Sequence, residues 1–208
     1  MQYCVKGIRI FLNFCEEKEL LDDTFILKYR NNFKIKKNGI DSYVPQEKDI
    51  QRSISIIKNE YPQFNLLYQL MIESGCRYTE VVEMVINFEE KNIEVYDEKI
   101  VLYRNFYLRG KKSSYYLFMS FKTYTQLLLE LENITYSLLR SFQNIISHRK
   151  DIISLKYLRK YQFTLLIKAG IDFEVANFIQ GRTSQNIGFN HYLAKKEIAL
   201  KEYKKIKF

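Results

Sequence analysis

A change in the spacing of apolar residues between positions 91 and 120 constrains the fold of this chain more than any other feature of its sequence. Apolar and polar residues alternate there in three runs, NIEVY, KIVLYRNFYL and SSYYLFM. Turn sequences at 97–98 and 109–112 separate these runs. Alternation with a period of two, bounded by turn residues, is typical of antiparallel strands. The pattern therefore predicts a small three-stranded antiparallel sheet with a basic hairpin at its tip.

On both sides of this segment the apolar residues recur every three or four positions, which is typical of amphipathic helices. Only seven Gly and two Pro interrupt the 208 residues. The predicted fold class is therefore mainly α with a small three-stranded antiparallel β-sheet. Helices are predicted at about 5–18, 25–29, 47–59, 62–74, 80–86, 121–132, 134–147 and 194–207, with two more between 154 and 181.

Three polar residues are predicted to cap helix N-termini, where a side-chain oxygen can accept a hydrogen bond from a backbone N–H. Asp23 would cap the second helix, Thr79 the helix at 80–86, and Ser154 the helix that follows it. Arg77 would then lie in the loop immediately before a helix N-terminus, after a helix that Gly75 ends. Its guanidinium group and the backbone amides of that terminus would point the same way.

The chain is strongly basic, with 33 Lys and Arg against 24 Asp and Glu, a net charge of +9 and a pI of about 9.3. Such a surplus indicates a polyanionic partner, nucleic acid before an anionic membrane surface. No apolar run approaches the ~18 residues that cross a bilayer, and the N-terminus lacks the layout of a signal peptide. We therefore expect an intracellular protein without a membrane partner.

Cysteine and histidine are too few and too scattered to indicate a metal centre. The three Cys are odd in number and unclustered, so neither a disulfide framework nor a zinc site is predicted. With only two His the chain also lacks the residues of a His-rich site. No metal or other cofactor is expected.

The sequence predicts one full domain and a smaller N-terminal segment. Residues 1–43 hold a pair of helices and a linker, and residues 44–208 are long enough for a catalytic domain with its own core. The linker is rich in turn residues and carries three basic residues that we expect to lie along a phosphate backbone. They are Lys34, Lys36 and Lys37.

Several cations precede a tyrosine near the C-terminus. Lys156 and Arg159 lie three residues apart on one face of a predicted helix, Arg182 follows Gly181, and Tyr192 comes ten residues later. Each has an ordinary explanation, because basic helices carry solvated cations and one late tyrosine among 17 is expected by chance. Their order is more informative than any single residue.

Taken in chain order, these residues resemble the tyrosine recombinase (integrase) family. Its members carry an Arg in a Gly-x-Arg-x-Ser/Thr-Glu loop, a Lys on a small sheet, His-x-x-Arg, Gly-His and a nucleophilic Tyr. Lys156 and Arg182 stand where most members have His, as in the fusellovirus-type integrases of archaea. The matching residues over 45–208 are Gly75-Cys76-Arg77-Tyr78-Thr79-Glu80, Lys111-Lys112, Lys156-x-x-Arg159, Gly181-Arg182 and Tyr192.

The resemblance implies a site-specific recombinase that cleaves and rejoins DNA through a 3′-phosphotyrosine, without metal or ATP. Arg77 and Arg159 would stabilise charge on the phosphate oxygens, since Arg offers a planar fork for two oxygens. Tyr192 would be the nucleophile, and Lys111 would give the leaving 5′ oxygen a proton. Lys112 is the alternative proton donor, Lys156 would assist proton transfer or hold the phosphate, and Arg182 would bind a non-bridging oxygen.

The resemblance also implies partners and an assembly. The N-terminal segment would be part of a core-binding-like domain, and the protein would act on double-stranded DNA as a homotetramer, being a monomer or weak oligomer without it. Members of the family exchange C-terminal segments, and Ile198, Ala199, Tyr203 and Ile206 are available for docking on a partner or on the chain's own body. A virus or provirus would encode the protein for genome integration in the host cytoplasm or nucleoid.

Other functions fit the same residues. The chain could be a non-catalytic DNA-binding or regulatory fragment of an integrase, or a type IB topoisomerase-like relaxase. Arg77 could simply pair with Glu80 or Glu83, and the basic residues could be solvated surface cations.

Overall fold

A computed structural model describes residues 2–33, 41–96, 99–109, 112–182 and 189–206. The chain divides into two compact units, Met1–Ser42 and Tyr43–Phe208. None of the helices in the described ranges is long and apolar enough to cross a membrane.

The first unit is a pair of helices, α1 (Gln2–Glu17) and α2 (Asp23–Asn32), around the small core of Leu12, Cys15 and Ile26. The predicted cap at Asp23 is wrong. The N-cap is Asp22, one residue earlier, whose Oδ1 accepts a hydrogen bond from Thr24 N at 2.8 Å.

The second unit is mainly helical and contains one three-stranded antiparallel sheet, which confirms the predicted fold class. Short 3₁₀ turns at 62–64, 90–92 and 131–133 join some of its elements. Its elements in chain order are α3 (Glu47–Glu60), α4 (Asn65–Ser74), α5 (Tyr78–Ile86), β1 (Ile93–Tyr96), β2 (Ile100–Arg109), β3 (Lys112–Ser120), α6 (Phe121–Glu130), α7 (Tyr136–His148), α8 (Leu155–Lys168), α9 (Phe173–Ile179) and α10 (Phe189–Tyr203).

The sheet has the order β1-β2-β3 and is apolar on both faces where β2 meets β3. Val101 is paired with Met119, and both side chains belong to the larger core, which α3 to α8 complete. Leu102 is paired with Phe118, and these point into a second core against α8, α9 and α10. The alternation in these two strands therefore separates two buried faces rather than a buried and a wet one.

Helix α4 lies at the centre of the second unit, since eight of its ten residues are buried. They include two polar residues near its C-terminus, Glu73 and Ser74. A buried polar residue must find hydrogen-bond partners inside the protein, so the C-terminal end of α4 becomes a junction for other elements.

Two predicted helix starts are wrong. Helix α5 begins at Tyr78 rather than Glu80, because Arg77 takes the N-cap position and Thr79 is already helical. Helix α10 begins at Phe189 rather than near 194, since neither Gly nor Pro occurs between 189 and 203 to delay it. Tyr192 therefore lies in the first turn of α10.

Candidate active site

The joint between α4 and α5 places Arg77 beside a buried carboxylate. Gly75 ends α4 in the left-handed conformation, with φ +58°, and Arg77 follows at the N-cap of α5. The backbone N–H of Arg77 donates to Glu80 Oε2 at 2.7 Å, and its guanidinium group pairs with Oε1 of the same residue. Glu80 is buried, whereas the Arg77 side chain remains 30% exposed.

Arg159 approaches the same carboxylate from α8. Its Nη1 lies 3.7 Å from Glu80 Oε2, and its Nη2 donates to the backbone oxygen of Gln180 at 2.7 Å. The side chain is only 12% exposed, and burial is the main cause that lowers the pKa of Arg159 to about 10. Repulsion from Arg77 and Arg182 lowers it further. The group remains charged at neutral pH.

Arg182 comes from the turn after α9. Gly181 has φ +61°, and Arg182 N closes the turn on Asn177 O at 2.8 Å. The guanidinium carbon lies 4.8 Å from the centre of the Phe163 ring on α8. Burial and, after it, repulsion from Arg77 lower the pKa of Arg182. Three elements distant in sequence thus bring their arginines into one electrostatic group.

Arg77, Arg159 and Arg182 form what we call the arginine cluster. Among the described residues, Glu80 is the one carboxylate that ion-pairs with the cluster, and it pairs with Arg77 and Arg159. Arg182 adds a third positive charge close to these two arginines. In addition, the buried Nη1 of Arg159 has no hydrogen-bond partner in the described part of the chain. A buried charged donor without an acceptor is costly, and a bound anion would relieve that cost.

Lys156 lies one turn before Arg159 on α8, as the spacing predicts, but its side chain is exposed. Its Nζ lies 4.3 Å from the centre of the Tyr157 ring, a cation–π contact. Ser154 occupies the N-cap position of α8 as predicted, although its side chain makes no capping hydrogen bond.

Several predicted site residues are outside the described residues. These include Lys111 and the linker lysines Lys34, Lys36 and Lys37. Lys112 is the first residue of β3, opposite Arg109, and Tyr192 is in the first turn of α10. The side chains of these two residues also lie outside the description, so their roles stay predictions.

Sequence reasoning missed most of the polar residues that support the cluster. Glu80 appeared only as an alternative partner for Arg77, yet it lies between two arginines. Gln162 and Gln180 are fully buried beside Arg159 and were not predicted at all. The signal for Gln162 is a glutamine four residues after Leu158 and four before Leu166, on the apolar side of α8.

No group of three or more His, Cys, Asp or Glu side chains suited to holding a metal ion occurs in the described ranges. The chemistry that these residues offer is the binding of an anion by fixed guanidinium groups, as in sites that transfer phosphoryl groups.

Comparison with known proteins gives one family. A family model described as archaeal phage integrase matches residues 42–207, almost the whole second unit. No curated protein sequence matches the chain significantly.

Proposed function

The chain belongs to the archaeal phage integrase family, and on that basis we propose that it is a tyrosine-type site-specific recombinase. The family indicates DNA integration and recombination, with DNA as the partner. The proposal adds the mechanism: cleavage and rejoining of DNA strands through a 3′-phosphotyrosine, with neither metal nor ATP.

The arginine cluster is the observation that carries this proposal. Attack on a phosphodiester builds negative charge on the non-bridging oxygens. Fixed guanidinium groups therefore stabilise the transition state, where this charge is largest, more than the ground state. Arg77 and Arg159 are held by Glu80 and by the backbone of Gln180 before any substrate arrives. The donor left over on Arg159 Nη1 suits a phosphate oxygen.

Tyr192 would act as the nucleophile. Its phenol would give up its proton to solvent as the oxygen forms a bond to phosphorus. The bond between phosphorus and the 5′ oxygen would break in the same step, which leaves a 3′-phosphotyrosine and a 5′-hydroxyl. Lys111, or Lys112 in its place, would supply the proton that the 5′ oxygen takes up. Rejoining is the reverse step, with a 5′-hydroxyl attacking the phosphotyrosine. Lys156 and Arg182 would hold the phosphate, and Lys156 is the alternative carrier of a proton.

The two units would share the work. Residues 44–208 would form the catalytic domain, and residues 1–43 would be a partial core-binding-like segment whose Lys34, Lys36 and Lys37 follow the DNA backbone. Recombination between two DNA sites would need a homotetramer, because four strands are cleaved.

The decisive experiment traps the covalent intermediate. The protein is incubated with nicked suicide duplexes that are randomised around the nick, and adducts that survive denaturant are detected on a gel. We expect an adduct with the natural chain and with Tyr136→Phe, a control at an exposed tyrosine of α7, but none with Tyr192→Phe. Binding to DNA without any adduct from the natural chain would contradict the proposal and favour the non-catalytic integrase fragment.

A further inference from the structure

Two buried glutamines connect Arg159 to the centre of the second unit. Nε2 of Gln180 donates to Arg159 O at 2.7 Å and to Gln162 Oε1 at 2.5 Å, and Nε2 of Gln162 donates to Glu73 O at 3.3 Å. We call Gln162 and Gln180 the amide pair. Arg159 returns a hydrogen bond through Nη2 to Gln180 O at 2.7 Å. One residue, Gln180, therefore holds both the backbone and the guanidinium group of Arg159.

The backbone next to the amide pair is shaped to admit it. A Cβ atom at Gly75 would overlap Gln162 Oε1 and would lie 2.7 Å from Gln180 Nε2, which is also too close. The pair therefore occupies the space that a larger residue at this joint would fill. The same Gly75 leads into Arg77, so the amide pair contacts the element that carries the second arginine of the cluster.

The same Glu73 oxygen also anchors the helix that carries Tyr192. Oη of Tyr203, at the C-terminal end of α10, donates to Glu73 O at 2.9 Å. Burial raises the pKa of Tyr203 well above its usual value, so the hydroxyl keeps the proton that it donates. Gln162 and Tyr203 thus converge on one carbonyl group, which has two lone pairs to offer.

Stability alone does not explain the amide pair. Both glutamines are fully buried, and Gln180 Oε1 has no hydrogen-bond partner in the described part of the chain. A buried oxygen without a donor destabilises a fold, and two apolar residues of similar volume would avoid that cost. The arrangement is better explained by what it holds in place.

We propose that Gln162 and Gln180 are positioning residues that hold the Arg159 guanidinium group in register with helix α10. The inference rests on the proposed function, because it assigns the pair to the cleavage step. The glutamines touch no substrate in this proposal. They act through Arg159, and a misplacement of about 1 Å in such a group can slow a reaction by about a hundredfold.

The test replaces both glutamines at once. The double variant Gln162→Leu/Gln180→Leu removes the side-chain hydrogen bonds and the unsatisfied oxygen but keeps the backbone oxygen of residue 180, which accepts from the guanidinium group. The protein should therefore melt within about 3 °C of the natural chain or above it. At saturating DNA we expect adduct formation to slow by about 10-fold to 100-fold, with DNA affinity changed by less than about threefold. Gln126→Leu is the control, since Gln126 is a half-buried glutamine whose one side-chain hydrogen bond within the described ranges goes to Glu130, at 2.8 Å.

Failure of this inference can be told from failure of the proposed function. A double variant that forms adducts at the natural rate would overturn the positioning role while the recombinase proposal stands. If the natural chain forms no adduct, side-chain ¹⁵N NMR still tests the pair. Loss of the bond from Gln180 Nε2 to Arg159 O should loosen the backbone oxygen of residue 180, which accepts from the Arg159 guanidinium group, and so free that group to rotate. Equal rotation in the natural chain and the double variant would overturn the inference on its own.

Discussion

At the scale of single residues, burial in the folded protein destabilises the charged form of Arg159. Burial lowers its pKa from the usual value of an arginine to about 10, so keeping the group charged in the folded protein costs about 3 kcal/mol of folding free energy. The pKa is lowered in the folded state, so this cost is present at neutral pH and disappears only as the pH rises above about 10. An anion that binds the charged form would recover part of it.

Sulfate should therefore stabilise the free protein. We expect tens of millimolar sulfate, compared with chloride at equal ionic strength, to raise the melting temperature of the natural chain by a few degrees. Arg159→Met should lose most of that increase, because it removes the buried donor. Arg140→Met, at an exposed arginine of α7, should keep it. Equal increases in all three proteins, measured by differential scanning fluorimetry, would show that sulfate does not bind the arginine cluster.

At the scale of elements, the joint between α4 and α5 sets the position of Arg77. Its glycine is required twice, once for the positive φ of Gly75 and once for the space that the amide pair fills. Gly170, between α8 and α9, also has a positive φ, of +77°. Apart from its chain neighbours, however, no heavy atom of the described residues lies within 4 Å of the place where its Cβ would be. A side chain at Gly170 would meet backbone strain alone, whereas one at Gly75 would meet backbone strain and a steric clash.

Alanine at the two positions should therefore have unequal effects. Gly170→Ala should lower the free energy of unfolding by about 1 kcal/mol, the cost of a left-handed alanine. Gly75→Ala should lower it by about 3 kcal/mol or more, because the added Cβ also displaces the buried amides. Urea unfolding followed by circular dichroism measures both. Losses of the same size would mean that the amide pair moves aside without cost.

At the scale of the whole molecule, α10 docks on the chain's own second unit. Ala199, Leu200 and Tyr203 are buried in the second core, and Lys195 pairs with Glu174 at 2.8 Å. Lys196 pairs with Glu94 of the sheet.

Of the four residues considered available for docking, Ala199, Tyr203 and Ile206 pack on the chain's own body, and Ile198 is exposed. An exchanged C-terminal segment would have to give up these contacts.

We therefore expect each chain to cleave with its own tyrosine. A mixture of Tyr192→Phe and Arg159→Ala chains on suicide DNA should give no more adduct than either variant alone. To reach a neighbouring chain, α10 would have to give up its buried contacts with the second core. The natural chain diluted with an equal amount of Tyr192→Phe is the control for mixing itself. Restored adduct in the mixture of variants would show that Tyr192 acts in trans and that α10 is exchanged.

Local patterns predicted most of the fold but less of the site. Alternation located all three strands, and helical spacing located α3 and α7 to within a few residues, since both signals depend on neighbours within one turn or strand. Helix starts were less predictable. The N-cap of α5 depends on Glu80, which accepts the Arg77 N–H, and not on the side chain of Thr79 that the sequence favoured.

The sequence by itself determined the helices, the antiparallel sheet, the basic charge and the ordered series of cations before Tyr192. Only the tertiary structure decided that Arg77 and Arg159 meet at a single carboxylate with Arg182 close to them. It also decided that Gln162 and Gln180 connect Arg159 to Glu73, whose backbone oxygen binds Tyr203 of α10. The physical reason is distance along the chain. Periodicity is set by residues a few positions apart, whereas Gln162 and Tyr203 lie 89 and 130 positions from Glu73 and meet it only when the second unit packs. Arg159 likewise reaches Glu80 from a distant part of the sequence.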